Sequence, residues 1–582
     1  MFKLFKNLTK KDWLLFIISA LLILLQVYLE LKIPDYMSAI TRLVQSSNSQ
    51  MKDILTNGRY MLICAFASLL ATVIVCYLIA NISSSFSRNT RKKLFSKVQD
   101  LGLKEVKEFK TSSLITRTTN DITQLEMFLG LGAQMLIKAP VTAVWAISKI
   151  LNKNIEWSIA TLIAVILLLT LVSIITCIVV PKFKIVQKNI DRLNNIIREN
   201  LTGIRVIRAF NAEEYQDQKF ENINNDLTRI LTFNQKTFAL FTPFMFFVMH
   251  TLSLTIYFIG AVLISNSLLV DKLAIFSNMV VFSSYAMQVI MSFLMLALVF
   301  MLMPRASVSA KRINEVLDKE KSIKDGHINK DSNEKGTIEF KNVSFMYNDA
   351  EEEVLKDISF KINKGETIAF IGSTGSGKST LINLIPRFYD VTKGEILVDG
   401  INIKDYKEDY LRNKIGYVSQ KAVIFSGTVA SNVSYAKDIS EEDIVKAIKI
   451  AQAEEFVLKM DKQYESNLSQ AGTNISGGQK QRISIARAIA KNPEIYIFDD
   501  AFSALDYKTD SILRKELKEY TKDATVLIVA SRIGTIMNAD KIIVLDEGKC
   551  VGIGTHKELL KNCKIYKEIA LSQLSEEELK NA

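Results

Sequence analysis

Histidine is scarce in this chain: three in 582 residues, at His250, His327 and His556. The five cysteines (Cys64, Cys76, Cys177, Cys550 and Cys563) form no CxxC pair and show no metal-ligand spacing. A reduced protein without disulfides is therefore expected. No nucleic-acid motif accompanies the net charge of +12. The basic excess sits in loops flanking apolar runs, where a positive bias has another cause, so no nucleic-acid partner is expected. The basic opening MFKLFKNLTKKD is followed by no small-residue cleavage site, so a retained interfacial helix is expected rather than a leader. Formal charge is itself missing from four long runs, Tyr60–Phe86, Ser158–Val180, Thr237–Val270 and Leu273–Pro304. Each is long enough for the ~20 apolar residues that cross a bilayer. Trp13–Leu29 is a shorter fifth run, closed by Glu30 and Lys32, and Phe128–Ile150 is a sixth, interrupted by Lys138. A chain of this length needs more than one domain.

Six spans put both chain ends on one side of a membrane. Residues 87–127 carry nine Lys or Arg against five Asp or Glu, and residues 181–236 carry ten against seven. The alternate connections, near 151–157 and 266–272, are short and almost uncharged. Basic loops stay cytoplasmic, so a plasma-membrane protein with both termini in the cytosol is expected. The stretch Ile197–Phe220 is heavily charged with apolar residues near helical spacing, and Phe109–Asp121 is polar; solvated loop is the plain reading of both, and spans continued as helices into the cytosol, with Phe109–Asp121 at the tip of the first loop, is the sharper one. Lys138 and His250 lie inside apolar runs. The plain expectation is that Lys138 snorkels towards an interface and that His250 is a neutral packing residue. The sharper one is that they face the bundle interior and mark a substrate path.

The division read from the sequence is 1–304 for the membrane domain, 305–336 for a charged linker, 337–573 for a soluble domain and 574–582 for a tail. In the soluble part, short β-type runs alternate with helical ones, the pattern of an α/β domain. Its strongest motif is GSTGSGKS: Gly372, Ser373, Thr374, Gly375, Ser376, Gly377, Lys378 and Ser379, with Thr380 next. The motif follows the apolar run Thr367–Ile371 and precedes the helix-like run Thr380–Ile385, which is the strand–loop–helix setting of a phosphate-binding loop. Glycines let the backbone turn its N–H groups towards phosphate oxygens. Lys378 would reach the β- and γ-phosphates of ATP, and Ser379 would hold Mg²⁺. The strand Ile495–Asp500 ends in two acids. Asp499 is placed to hold Mg²⁺, and Asp500 stands where a general base or water-orienting group belongs.

With ISGGQKQR at Ile475–Arg482, the chain resembles the ABC transporter family over nearly its whole length. Only that family places such a signature between a P-loop and a second acidic strand, and Ile475 stands here for the usual Leu. The resemblance implies a six-span all-α membrane domain of the exporter type, followed by a cytosolic α/β P-loop nucleotide-binding domain with a helical subdomain. It implies that Tyr347 stacks on adenine and that Gln420 serves at the metal and the attacking water. It also implies that Ser476, Gly477, Gly478 and Gln479 contact ATP held by a second subunit, and that Ser503–Asp506 (SALD) is the D-loop. Phe109–Thr118 and Asn211–Gln218 would contain two coupling helices.

Three positions depart from the family pattern. Asp500 replaces the Glu expected after the Walker B Asp, Ser531 replaces the His expected after the strand Thr525–Ala530, and Gln470 replaces a Glu before the signature. None of the three histidines can be moved to position 531 by a small shift of alignment. A carboxylate drawn back by roughly 1 Å can cost ~10²-fold in rate, and a hydroxyl offers no group titrating near neutral pH. ATP binding should survive; fast hydrolysis at this site should not. An intact signature beside a damaged catalytic edge suggests a heterodimer in which a second half-transporter supplies Glu and His. The function read from the sequence is ATP-driven export of a hydrophobic or amphipathic substrate. The alternatives are an ATP-gated or regulatory membrane protein without transport, and an importer on the exporter fold.

Overall fold

A computed structural model describes residues 2–45, 50–151, 154–332, 334–348, 350–435 and 438–574. Most of the tail, and residues 152–153 of one short connection, lie outside these. Two compact units are formed, one from 1–99 with 109–319 and the other from 100–108 with 320–582.

The first unit is all helix. Its elements are α1 (Lys10–Gln45), α2 (Met51–Asp100), α4 (Thr111–Thr118), α5 (Asn120–Met127), α6 (Ala133–Leu151), α7 (Ile155–Ala209), α8 (Glu213–Ala239), α9 (Phe241–Asn266) and α10 (Leu269–Leu317); α3 (Leu103–Phe109), between α2 and α4 in the chain, falls almost wholly in the second unit. Among the described residues, six helical stretches are long and apolar enough to cross a membrane, one for each expected run, although the run read as Thr237–Val270 is broken after Asn266, where α9 ends. Several run well beyond the apolar stretch: α2 continues to Asp100 and α7 to Ala209. The last ends at Leu317, inside the segment read as a linker. Asn154 starts α7 by accepting hydrogen bonds from the N–H groups of Glu156 and Trp157, and Glu156 favours the positive helix end. Pro34, Pro140, Pro181 and Pro304 all sit inside these helices. Neighbouring helices can satisfy the backbone groups that proline frees. The bundle core gathers Trp157, Phe282 and Tyr285, while Phe66, Leu62 and Phe258 point outwards, as a lipid-facing surface requires.

Of the two segments proposed to couple, the first falls on helix α4. The second falls on the turn at 210–212 and the opening of α8, with no separate short helix.

The second unit is α/β. Its main sheet runs Ile415–Val418, Ile495–Asp499, Thr525–Val529, Thr367–Gly372, Lys541–Asp546 and Lys549–Gly554 in spatial order, parallel except for the last strand. The central strands Ile495–Asp499 and Thr525–Val529 are buried throughout, which explains their unbroken apolar runs. A four-stranded antiparallel sheet around Ile338–Phe345 packs on one face. The helices Val429–Ser434, Glu441–Ile450 and Gly477–Ala490 share a second core with the other face. These are the α/β sheets and the helical part expected of the soluble domain.

Lys414 anchors the approach to this unit. Its buried ammonium contacts Asp331 (3.0 Å), Asp399 (2.9 Å) and Glu494 (3.0 Å). Burial alone would lower its pKa, but hydrogen bonds to the three carboxylates outweigh that and raise it. Removing one member of a buried ion cluster strands the others, at a cost of about 3–5 kcal/mol. Lys414→Ala is expected to lower the stability of the second unit by about 3 kcal/mol. Its thermal unfolding transition in detergent should fall accordingly; an unchanged transition contradicts the assignment.

Candidate nucleotide site

The site lies where the parallel strands end. Gly372 closes the strand Thr367–Gly372, and a Cβ there would lie 2.0 Å from the Leu545 carbonyl oxygen, so no side chain fits. Gly375 and Gly377 take positive φ values of 88° and 95°, the left-handed region glycine enters freely. The loop so formed leads into the helix Lys378–Leu384. The Lys378 Nζ donates to the carbonyls of Gly372 (3.0 Å) and Ser373 (2.8 Å), folding the ammonium over the loop. Burial lowers the Lys378 pKa, against the opposing pull of Asp500 and Asp499.

Ser379 and Asp499, from different elements, are brought together: the Ser379 hydroxyl donates to Asp499 Oδ1 at 2.9 Å. Burial pushes the Asp499 carboxyl up; the Ser379 bond opposes this and the neighbouring Asp500 adds to it. A hydroxyl oxygen beside two acids at a dry strand end is a donor set suited to Mg²⁺. Bound there, the ion would neutralise charge on a nucleotide's phosphates. Gln420 reaches the same edge, its Nε2 donating to Asp500 Oδ2 at 3.4 Å. Asp500 itself has φ 47°, a conformation Asp tolerates better than most residues, with its N–H held by the Val529 carbonyl at 2.9 Å.

Ser531 follows the strand that lies between the other two. Val529 pairs in register with both Phe370 and Asp499. Two residues on, Ser531 therefore stands between the loop and the acid pair. Gln573 pins this turn, donating to the Ser531 carbonyl and accepting from the Ile533 N–H, both at 2.8 Å. At the opposite rim, the Tyr347 hydroxyl lies 3.2 Å from Thr380 Oγ1, and its ring meets Tyr389 edge-on at 5.4 Å. The Lys107 ammonium lies 5.5 Å from both ring centres. Sequence reading missed Tyr389, Lys107 and Gln573, because no motif marks them and only folding brings them here.

The signature begins the helix Gly477–Ala490. Ser476 caps it in a capping box: its side chain accepts from the Gln479 N–H, and the Gln479 side chain accepts from the Ser476 N–H. Ile475 is buried in the core beneath, the role a Leu would also fill. Gly478 approaches the Ala504 carbonyl of the SALD turn, 3.2 Å from where its Cβ would be. A Cβ on Gly477 would meet nothing within 4 Å. Among the described residues, no hydrogen bond or ion pair joins Ser476–Gln479 to Gly372–Thr380.

Of the two ionisable residues inside apolar runs, Lys138 is paired: its ammonium lies 2.9 Å from the carboxylate of Glu30, the residue that closes the first apolar run. His250 is exposed on α9 with its ring beside Phe246 and is not packed inside the bundle.

A phosphate-binding loop with an acid-tipped strand two places along the same sheet, in a chain with six membrane-length helices among its described residues, defines a membrane protein that holds a nucleotide. Two family descriptions match the chain: "ABC transporter transmembrane region" over residues 15–293 and "ABC transporter" over residues 355–503. An uncharacterised ABC transporter ATP-binding protein of Mycobacterium tuberculosis is 35% identical over 529 residues, covering 89% of this chain and 88% of the relative. A Bacillus subtilis protein named as a candidate multidrug export ATP-binding/permease protein is 34% identical, with 82% of each chain covered. In structure, a bacterial Atm1-family ABC exporter with ATP bound matches with a TM-score of 0.78 and 24% identity, covering 96% of this chain and 99% of that one. The chain belongs to the ABC transporter family and has the exporter-type fold. Membership implies ATP binding and ATP hydrolysis coupled to transport.

Proposed function

We propose that this chain is one subunit of a heterodimeric exporter. It moves a hydrophobic or amphipathic substrate out of the cytosol or the inner leaflet, with both termini and the nucleotide-binding domain in the cytoplasm. The observation that carries this reading is an asymmetry within one domain. The signature helix is fully built and open, while the edge around Asp500 and Ser531 lacks the Glu and His of an active site. Gly477 has no steric reason within its own chain to be glycine, which is what the close approach of a second subunit's nucleotide would require.

In this scheme Gly372–Thr380 cradle the phosphates of ATP, Tyr347 stacks on the base, and Ser379, Gln420 and Asp499 hold Mg²⁺. Asp500 holds a water too far back for efficient attack, and Ser531 supplies no imidazole to the γ-phosphate. Hydrolysis falls mainly to the other site, where Ser476–Gln479 face ATP held by the partner. The multidrug-export name of the Bacillus subtilis relative supports export of apolar compounds.

The chain purified alone should bind ATP and turn it over slowly, with a deficit of ~10²-fold or more. Adding the partner half-transporter should restore turnover and drive accumulation in inverted vesicles. Full turnover by the isolated chain would defeat the heterodimer reading, and turnover without accumulation would defeat export.

A further inference from the structure

A cavity of about 380 Å³ opens among α1, α6 and α10 of the membrane unit, within the ~300–1,000 Å³ range of ligand sites. Its polar wall includes Glu30, Lys138, Thr142 and Gln288, with Ser284 and Ser292; its apolar wall is Ile33, Pro34, Met291 and Met295. The Glu30–Lys138 pair is built in from the surrounding helices. Lys138 Nζ (2.9 Å) and Gln26 Nε2 (2.8 Å) donate to Glu30 Oε1, with Ser68 Oγ at 3.5 Å from the same oxygen. All three donors fall on Oε1, and Oε2 accepts no hydrogen bond among the described residues.

Two further groups on this wall lack a partner among the described residues. The Gln288 Oε1 and the Thr142 Oγ1 are both buried without a hydrogen bond, and Thr142 as a residue is 8% exposed. Threonines in apolar helices ordinarily donate to the carbonyl four residues back, and Thr72, Thr161, Thr170 and Thr255 of this unit do so at 2.8–2.9 Å. Thr142 forgoes that bond. A polar group left unpaired in a dry interior is costly, so such groups mark a place that something else completes.

We infer that this cavity binds the polar head of an amphipathic substrate carrying an amide, with its apolar chain against the methionines. A primary amide offers one of its N–H bonds and its C=O side by side. Gln288 Oε1 and Glu30 Oε2 accept the first, and the Thr142 hydroxyl and the remaining Lys138 N–H bonds donate to the second. Glu30 and Lys138 already neutralise each other, so a head with net charge would bring an uncompensated charge into a low-dielectric site. Methionine side chains adapt to varied apolar shapes, which suits a range of chains.

This inference rests on the exporter reading, but its test uses neither ATP nor turnover, so either can fail while the other stands. Equilibrium binding of radiolabelled N-dodecanoylglycinamide to the full chain in lipid nanodiscs is measured against dodecyltrimethylammonium and N-dodecanoylglycine. The neutral amide should bind saturably and about tenfold more tightly than either charged probe. Thr142→Val with Gln288→Leu removes the unpaired groups without creating new ones, so folding should survive, and amide affinity should fall about tenfold. Glu30→Gln with Lys138→Gln removes the pair without stranding a charge, and should abolish the discrimination between the three heads. Equal affinity for the three probes, absence of saturable amide binding, or unchanged amide binding by the Thr142/Gln288 variant overturns the inference.

Discussion

Ser476→Arg is expected to abolish ATP turnover by the assembled transporter while leaving nucleotide binding at this chain's own loop intact. Ser476 caps the helix Gly477–Ala490, and its exposed hydroxyl stands beside the N–H groups of Gly477 and Gly478. Preorganised donors aimed at developing charge are each worth ~10²–10³-fold in rate. Arg removes the hydroxyl and fills the open space in front of Gly477. The lost cap costs about 1 kcal/mol, small beside the 5–15 kcal/mol that holds a domain together, so the fold should persist. Lys378→Ala should act differently. It removes the cation over this chain's own phosphate loop, so it should weaken nucleotide binding there and reduce turnover less severely. Steady-state ATPase rates of the two variants, each assembled with the wild-type partner, decide the matter. Equal abolition by both contradicts a single dominant hydrolytic site.

Repairing the damaged edge should need two changes at once. Asp500→Glu returns the missing methylene but leaves Ser531, and Ser531→His returns an imidazole but leaves the short carboxylate. Groups that act as a unit are strongly non-additive, so either change alone should recover little. Asp500 presents a further obstacle, since its φ of 47° suits Asp better than Glu. The turn bearing Ser531 is held by Gln573, which should keep a His at that position aimed between the loop and the acid pair. In a heterodimer whose partner is silenced at its own Walker B Glu, the double variant should exceed the sum of the single ones. Recovery of near wild-type turnover by Asp500→Glu alone would show that Ser531 is no lesion.

Much of this was legible because it depends on local pattern. Six apolar runs must become helices, since backbone groups in lipid can find partners only within a helix or a closed barrel. The loop Gly372–Ser379 is written in contiguous residues, and its strand and helix flank it directly. The unbroken apolar strands Ile495–Asp499 and Thr525–Val529 announce a buried parallel sheet. The helical continuation of α2 and α7 was expected from the family resemblance alone, since a solvated loop reads as well from their polar stretches. The Lys138–Glu30 pair was not legible, because Glu30 is 108 residues away in sequence and ion pairing at that range has no local signature.

The sequence by itself therefore determined the architecture, the phosphate loop, the signature and the two departures at Asp500 and Ser531, because each is carried by neighbouring residues whose chemistry is local. Tertiary structure alone decided which distant groups meet. It placed Ser379 against Asp499, Tyr389 and Lys107 beside Tyr347, and Gln573 across the Ser531 turn. It gathered three carboxylates on Lys414 and left the Thr142 hydroxyl and Gln288 Oε1 without a partner among the described residues, beside the Glu30–Lys138 pair. These depend on strand order and helix packing, which bring together residues tens to hundreds apart, and no spacing along the chain encodes them.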